Sequence, residues 1–232
     1  MTWGNSKFGG DSSAVQDKLR NVVAVQSGYN SFAAILVDGS VVTWGQPNCG
    51  GDSSSVQDQL KHVQEIQSTE SAFAAILNDG SIITWGDPAA GGDSSSMQAQ
   101  LCNVHAVQTT ARAFAAILKN GLVVSWGDPD EGGNSSAVQA QLRNVYAIQA
   151  NSGAFAAILA DGSVLTWGNQ TCGGNSSAAT EQLRNARQIQ STYTAFAAIL
   201  VDGSVVTWGA PGNGGNSEAV QDQLQNVQQI QK

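Results

Sequence analysis

The chain has 232 residues, of which 41% are hydrophobic and 12% are charged, and its formal net charge at pH 7 is −8. Its ten Lys and Arg residues are scattered, whereas a surface that tracks nucleic-acid phosphates needs clustered cations. No apolar run approaches the roughly 18 residues that a membrane span requires, so we predict a cytoplasmic protein that binds neither nucleic acid nor membranes.

A repeat begins at the N terminus. Trp3 is the first of six tryptophans that recur every 41 residues without insertion, and repeat sequence follows Met1 where a cleavable leader would stand. Because the period never varies, we predict one repeat domain over residues 1–232. Its whole units are 22–62, 63–103, 104–144, 145–185 and 186–226, and a sixth unit is split between 1–21 and 227–232.

Four of the five whole units start with the pattern Val-x-x-Val/Ile-Gln, as in Val145–Gln149, and the fifth has Ala186 in the first position. This pattern predicts a strand. The spacing of three between its apolar residues predicts an irregularity in that strand. The glutamine of this pattern recurs in every unit and is expected to be buried, with its amide bonded to backbone groups of the next unit.

A hairpin follows the first strand. Asp-Gly stands between Phe-Ala-Ala-Ile-Leu and Ser-Val-Val-Thr-Trp-Gly, and a two-residue turn of this kind requires positive φ at both residues. Both strands are almost entirely apolar, which predicts burial on both faces between stacked sheets. The turn itself accounts for Asp38, Asp79, Asp161 and Asp202, so these carboxylates are not candidate catalytic acids.

The unit ends with Gly-Gly, Asp or Asn, Ser-Ser and a short segment that places Val and Leu four residues apart. The Asp or Asn side chains are suitable helix N-caps, so one or two helical turns are predicted here. The Arg-Asn or Lys-His pair that follows ends the turn.

This order of elements resembles the repeat of the regulator of chromosome condensation family. The resemblance lies in Val-x-x-Val/Ile-Gln, a short apolar strand, x-Asp-Gly-x-Val-x-x-Trp-Gly and Gly-Gly, and it covers essentially the whole chain. It implies an all-β fold, a β-propeller of five or six blades with a short helix between blades. The units are shorter than is usual for that family, so the fourth strand of each blade is expected to be reduced to a loop.

Five Phe-Ala-Ala-Ile-Leu segments accompany six Trp-Gly segments. A propeller that pairs strands from its two ends explains a split unit, and we favour this closed ring. The alternative is an open β-rich solenoid with half-units as caps. A second copy of the chain that completes the split unit, forming a homo-oligomer, also remains open.

The tryptophans occupy the same phase in every unit, which predicts packing between units and not ligand binding. The predicted structural core consists of Trp44, Trp85, Trp126, Trp167, Trp208, Phe73, Phe114, Phe155 and Phe196.

Sequence patterns for cofactors, metals and catalysis are weak. The acidic segment Asp128-Pro129-Asp130-Glu131 matches no calcium-loop spacing. His62 and His105 have no nucleophile at a matching position, and three cysteines that do not follow the repeat are expected to be free thiols. We predict no cofactor, no metal site and no enzymatic activity.

Two windows differ sharply between otherwise similar units: the four residues after Trp-Gly and the loop before the conserved Phe position of the hairpin. A rigid frame with individual loops is how many binding proteins generate specificity, although exposed loops also vary without function. The candidate binding residues in these windows are Tyr29, Asn30, Pro47, Asn48, Glu70, Asp87, Arg112, Asp128, Asp130, Glu131 and Tyr193.

The leading functional hypothesis is a non-enzymatic protein-interaction scaffold that presents these loops to a partner protein. The family resemblance implies an alternative, guanine nucleotide exchange on a small GTPase, against which the short loops and acidic charge argue. Multivalent carbohydrate binding is a third hypothesis, but the equivalent loops share no set of polar and aromatic residues.

Overall fold

The computed structural model describes residues 2–230, and these residues form five three-stranded antiparallel sheets, each within one predicted whole unit. The first sheet contains β1 (Val22–Ser27), β2 (Ser31–Leu36) and β3 (Val41–Gly45); the second contains β4 (Val63–Ser68), β5 (Ala72–Leu77) and β6 (Ile82–Gly86). The third contains β7 (Val104–Thr109), β8 (Ala113–Leu118) and β9 (Val123–Gly127), and the fourth β10 (Val145–Ala150), β11 (Ala154–Leu159) and β12 (Val164–Gly168). The fifth contains β13 (Ala186–Ser191), β14 (Ala195–Leu200) and β15 (Val205–Gly209).

The strand order within each sheet follows the chain, and in the described part of the chain no sheet has a fourth strand, in agreement with the sequence prediction. The predicted irregularity of the first strand is also confirmed. In the fourth sheet the register shifts between Val145 and Ala147, so that one extra residue bulges out of the ladder. The same shift occurs in the other four sheets.

The hairpin turn differs from the prediction. In the first unit the ladder ends at the pair Ile35 and Val41, which leaves a loop longer than two residues, and only Gly39 has positive φ (78°). Asp38 keeps ordinary backbone angles because its carboxylate accepts hydrogen bonds from the backbone N–H and the hydroxyl of Ser40, 3.0 and 2.6 Å away.

These turn carboxylates make stability sensitive to acid. The hydroxyl and backbone N–H groups two residues on lower the pKa of Asp79, Asp161 and Asp202 below the ordinary value of 3.8. A folded-state pKa below the unfolded one gives stability that is present above pH 3.8 and is lost as the pH falls through the folded-state value. In the third unit Asn120 accepts the bond from the Leu122 N–H without a charge.

We therefore expect the triple variant Asp79→Asn, Asp161→Asn, Asp202→Asn to lose less stability than the wild type between about pH 4 and 2. Urea unfolding measured at each pH gives the comparison. The matched control is Asp17→Asn, Asp58→Asn, Asp222→Asn, whose carboxylates are exposed and accept no hydrogen bond within residues 2–230. If the control variant changes the loss of stability at low pH as much as the turn variant does, the turn carboxylates are not the cause of the acid sensitivity.

The predicted one or two helical turns form in only some of the units. After Gly-Gly, 3₁₀ helices form at Ser13–Val15, Ser95–Met97 and Glu218–Gln223, and the equivalent segments of the other units are turns. The Asp or Asn predicted as N-cap accepts the N–H two residues on, as Asp11 does from Ser13 at 2.9 Å. A second set of 3₁₀ helices, which the sequence analysis did not foresee, lies after Trp-Gly at Ser6–Phe8, Pro47–Cys49, Pro88–Ala90, Pro129–Glu131, Gln170–Cys172 and Pro211–Asn213.

The core lies between successive sheets. The prediction that both hairpin strands are buried on both faces is confirmed for middle strands such as β8, all of whose residues are buried. It holds only in part for third strands such as β6, in which Ile83 and Thr84 are half-exposed.

Between the second and third sheets, Ala72, Ala74 and Ile76 pack against Phe114 and Trp126. Phe114 stacks on Trp126 with ring centroids 5.0 Å apart. All nine predicted core aromatics are at most 8% exposed: Trp44, Trp85, Trp126, Trp167, Trp208, Phe73, Phe114, Phe155 and Phe196.

Each buried indole also joins two units, because its N–H donates to the carbonyl of a glycine 35 residues earlier. Trp126 donates to Gly91 at 3.0 Å, and the same bond links Trp44 to Gly9, Trp85 to Gly50, Trp167 to Gly132 and Trp208 to Gly173. Along the turn edge the backbone N–H of Val104 donates to Gly80 of the preceding unit at 2.9 Å. These contacts fix the position of each blade relative to the next.

The sheets are five blades of a β-propeller, placed side by side in chain order, and the first strands of neighbouring blades are in contact. The expected joining of the two ends is not seen. Within residues 2–230 no hydrogen bond and no core cluster connects the first blade to the last. Trp3 shares the phase of the other tryptophans but is 85% exposed, and within the described residues no Phe stacks on it and no glycine carbonyl accepts its N–H.

The three cysteines are free, as predicted. The repeated glutamines do not follow the prediction of a buried amide bonded to backbone groups of the next unit, because the backbone carbonyls that Gln26 and Gln149 reach, those of Ser27 and Ala150, lie in their own units. Gln26 and Gln149 are half-buried, and their amides donate to the hydroxyls of Ser68 and Ser191 in the next unit, 2.9 and 3.3 Å away. None of the helices in residues 2–230 has the length and hydrophobicity of a membrane-spanning helix.

Candidate interaction surface

The two variable windows of each unit lie side by side at one edge of the blade. In the third unit the backbone N–H of Asp128 donates to the carbonyl of Arg112 at 3.0 Å. The equivalent bonds join Gln46 to Asn30, Asp87 to Ser71, Asn169 to Gly153 and Ala210 to Thr194. We call the surface formed by residues 28–31, 46–49, 69–72, 87–90, 110–113, 128–131, 151–154, 169–172, 192–195 and 210–213 the loop strip.

Backbone hydrogen bonds connect the loop strip from one blade to the next. The N–H of Tyr29 donates to the carbonyl of Glu70 at 2.8 Å, and the N–H of Glu70 donates to Ala111 at 2.9 Å. The series continues from Ala111 to Ser152 and from Ser152 to Tyr193. Because each loop is bonded to its neighbour, the five loops form one continuous surface.

Side chains hold the individual loops in shape. The Thr110 hydroxyl donates to the Glu131 carbonyl at 3.0 Å and accepts the Ala113 N–H, also at 3.0 Å. On the other side of the loop, the Asp128 carboxylate accepts the Asp130 N–H at the start of the 3₁₀ helix. Gly132, with φ of 100°, ends that helix. These contacts leave the loop backbone little freedom, so a ligand would meet a preformed surface.

The strip is acidic at its centre. In the second and third units it carries the carboxylates of Glu70, Asp87, Asp128, Asp130 and Glu131 and one guanidinium, Arg112, a net charge of −4 that is half of the −8 of the whole chain. The strip residues of the first, fourth and fifth units are uncharged. The centre of the strip should therefore attract a cationic partner over distances of about a Debye length.

One carboxyl of this centre is unusual. Arg112 Nε lies 3.1 Å from Asp128 Oδ2, while Oε2 of Glu131 is buried and has no hydrogen-bond partner within residues 2–230. Burial, followed by the nearby charge of Asp128, raises the pKa of Glu131. Arg112 is the only cation of the second and third units' strip, and the carboxylates of Glu70, Asp87 and Asp130 make no ion pair within residues 2–230.

The structure places all the predicted binding residues on this strip. At its two ends Tyr29 and Tyr193 are 76% and 73% exposed, which is unusual for residues of their size. Asn30, Asp87, Arg112, Asp128 and Glu131 are half-exposed, and Pro47, Asn48, Glu70 and Asp130 are exposed.

A second exposed row was missed by the sequence analysis. It lies on the first strands, which contact one another in consecutive blades, and it includes Tyr146, 74% exposed. The residues are those that follow the first Val or Ala of each first strand: Val23, Gln64, His105, Tyr146 and Arg187. These positions differ between units, and that variation could have identified them. The pattern that predicts the first strand is defined only by its apolar positions and the glutamine, so it does not include them.

No family model and no curated relative matches the sequence. Solved structures do match. The chain is similar to Prp20p from Saccharomyces cerevisiae, a structure reported with binding properties to Gsp1p and histones, with 15% identity, a TM-score of 0.57 and coverage of 89% of this chain and 65% of that one. Yeast RCC1 (Prp20) bound to Kap60 matches with 14% identity, a TM-score of 0.55 and coverage of 85% and 57%.

Human WBSCR16 matches with 15% identity and a TM-score of 0.54, over 81% of this chain and 61% of that one. The chain thus spans 57% to 65% of the length of these three structures. Their similarity shows that the chain has an RCC1-like β-propeller repeat fold.

Proposed function

We propose that the chain is a non-enzymatic protein-interaction scaffold that binds a partner protein through its loop strip. The observation that supports this most strongly is the joining of both variable windows from five blades into one hydrogen-bonded surface. The variable loop residues thereby lie together on a backbone that hydrogen bonds hold in place. RCC1-like propellers with the same fold are seen with protein partners, as in the complex of yeast RCC1 with Kap60.

The chemistry of the strip favours a particular partner. Exposed tyrosines supply large contact areas at low entropic cost, and such residues are frequent among those that dominate binding energy. The central carboxylates favour a basic partner surface and would speed its association. A partner that spans the strip would place its cations over the second and third units and apolar groups over Tyr29 and Tyr193.

A charge-matched pair of variants tests this proposal. We expect Glu70→Gln, Asp130→Asn, Glu131→Gln to weaken capture of a specific protein at least tenfold, because the strip loses three of its five carboxylates. The variant Asp17→Asn, Asp58→Asn, Asp222→Asn removes the same charge from exposed positions outside the strip and should bind like the wild type. The measurement is quantitative capture from a cell extract, followed by titration of the captured protein at two salt concentrations.

If both variants capture the partner more weakly, the loss comes from the net charge of the chain and not from the loop strip. If all three proteins capture it equally, the partner binds to another surface. Either result would contradict the proposed role of the loop strip.

Exchange-factor-like activity on a small GTPase is the second candidate. It is favoured by the fold similarity to Prp20p, the structure of which was reported with binding to Gsp1p. The loops before the middle strands are only three residues long, which provides little material for a wedge near a nucleotide site. Release of a fluorescent nucleotide from a GTPase, with and without the chain, is the direct measurement, and acceleration would favour this candidate.

A further inference from the structure

The turn between the middle and third strands of the third unit differs from the corresponding turn of the other four units. It reads Lys119-Asn120-Gly121-Leu122, where the other units have an uncharged residue followed by Asp-Gly-Ser. The formal charge of this turn is therefore +1, whereas that of each other turn is −1. Leu122 is also 39% exposed, so the third turn presents an apolar side chain where the others have serine.

This turn lies between the first strands of the third and fourth blades. The Lys119 N–H donates to the Asn103 carbonyl at 2.8 Å, one residue before β7. On the other side the Val145 N–H, at the start of β10, donates to the Gly121 carbonyl at 2.9 Å. We call the surface formed by residues 102–106, 119–122 and 143–147 the turn patch. Its exposed side chains include His105, Lys119, Leu122, Arg143 and Tyr146.

The turn patch is positively charged in a chain of net charge −8. It contains Lys119 and Arg143 and neither Asp nor Glu, so its formal charge is +2 when its histidine is neutral. The equivalent surface of the second unit carries Lys61, Glu65 and Asp79, a net charge of −1. The patch should therefore attract carboxylates that the rest of the protein repels.

Both cations of the turn patch are available to a ligand. Neither forms an ion pair with a carboxylate within residues 2–230. Arg143 Nε donates to the Ala140 carbonyl at 3.1 Å, and in this part of the chain its two terminal nitrogens make no hydrogen bond. Those terminal nitrogens can therefore bind a carboxylate of another molecule.

Exposed apolar groups accompany the two cations. Tyr146 is 74% exposed and follows Val145, while Leu122 follows Gly121, to which Val145 is bonded. Tyrosines are frequent among the residues that dominate binding energy, because they bury a large area at low entropic cost. The other four units have Val23, Gln64, His105 or Arg187 at the position of Tyr146.

We propose that the turn patch binds a short acidic segment of a partner protein. Carboxylates of that segment pair with Lys119 and Arg143, and one of its apolar side chains packs against Tyr146. The turn patch and the loop strip lie at opposite ends of β8, because Ala113 pairs with Gly127 at one end and Ile117 pairs with Val123 at the other. This inference therefore does not rest on the proposed function of the loop strip.

The surroundings of the turn patch favour a short ligand. The turns of the second and fourth units each carry one carboxylate, Asp79 and Asp161, which would repel further acidic residues on either side. On the side of the fourth blade Arg187 adds positive charge, although its Nη2 already donates to the carbonyls of Val227 and Gln228, both at 2.8 Å.

Other ligands fit the turn patch less well. Two cations with carboxylates on both sides do not suit a nucleic-acid backbone, because the binding of successive phosphates needs clustered cations. A second copy of the chain would have to bring its acidic loop strip against the patch. The net charge of −8 on each copy opposes that approach.

The test uses the full chain and a phage-displayed library of random peptides. We expect selection to enrich peptides that combine Asp or Glu with an aromatic or aliphatic residue, and fluorescence anisotropy then measures the affinity of one enriched peptide. The turn-exchange variant Lys119→Asn, Asn120→Asp, Leu122→Ser gives the third unit the turn sequence of the second unit, so it should fold like the wild type. It should bind the peptide at least about tenfold more weakly, which corresponds to ~1.4 kcal/mol. Tyr146→Gln, which introduces the residue of the second unit at this position, should also weaken binding.

The matched control is Lys18→Gln, Asn134→Asp. It changes the net charge by −2, as the turn-exchange variant does, at exposed positions outside the turn patch where other units have Gln or Asp. This control and the loop-strip variant Glu70→Gln, Asp130→Asn, Glu131→Gln should bind the peptide like the wild type.

Three results would overturn the proposal. The first is a selection that enriches no acidic peptides. The second is an affinity that the turn-exchange variant leaves unchanged, or that the matched control lowers by the same factor. The third is self-association in sedimentation that the turn-exchange variant abolishes, because the patch would then bind a second copy of the chain.

Discussion

Replacing Trp126 by alanine is expected to lower the free energy of unfolding by about 3–5 kcal/mol. The Trp126 side chain is 4% exposed and stacks on Phe114. Its N–H also donates to the Gly91 carbonyl of the preceding unit, so the substitution leaves a cavity and an unsatisfied buried carbonyl together. Because Trp126 packs between the second and third sheets, the change loosens the interface between these two units. Urea unfolding followed by circular dichroism measures the loss.

Trp3→Ala is the matched control. Trp3 occupies the same position of the repeat but is 85% exposed, so its replacement should change stability by less than about 0.5 kcal/mol. The two variants separate the effect of the residue type from the effect of its surroundings. A large loss in Trp3→Ala would mean that the first and last units meet in solution.

Much of this fold follows from local patterns in the sequence. The 41-residue period gives the size of the repeated unit but leaves five or six blades open, and the structure has five sheets within residues 2–230. The spacing of Val145 and Ile148 correctly predicts the bulge of the first strand. Aromatic residues at fixed phase correctly predict the core. The turn was less well predicted, because an Asp-Gly pair is compatible with more than one loop length and the Asp38 side chain stabilises the longer one.

The candidate surface was only partly predictable. The hairpin pairs Phe32 with Trp44, so the windows that flank these residues must lie side by side, and the register alone contained that information. The backbone hydrogen bonds that link the loop of one blade to the loop of the next, such as Tyr29 to Glu70, depend on the rotation between blades. No local sequence pattern specifies that rotation. The exposure of Trp3 is likewise a property of its neighbours and not of its own segment.

The rigidity of the strip bears on how it could bind. A loop bonded to its own hairpin and to the next blade loses little conformational entropy when a ligand arrives. Charge and contact area can then vary from unit to unit while the backbone stays the same. This separation explains how Arg112, Asp128 and Glu131 occupy one unit while the equivalent positions of the fourth unit are uncharged.

Gly51→Ala is expected to destabilise the fold by about 2–3 kcal/mol, as overpacking against immobile atoms does. A Cβ on Gly51 would lie 2.6 Å from both the carbonyl carbon and the oxygen of Gly45. Neither group can retreat easily, since the Gly51 N–H is bonded to the Gln46 carbonyl at 2.9 Å and Gly45 has φ of 106°.

The control for this change is Gly212→Ala, because a Cβ at Gly212 meets no atom within 4 Å and the variant should unfold within about 0.5 kcal/mol of the wild type. Urea titration of both variants gives the comparison. The Gly-Gly pair directly follows residues 46–49 of the loop strip, so Gly51→Ala should also disturb that segment. A fully stable Gly51→Ala protein would mean that the post-tryptophan loop can shift away from Gly45, and the strip would then be a deformable surface and not a preformed one.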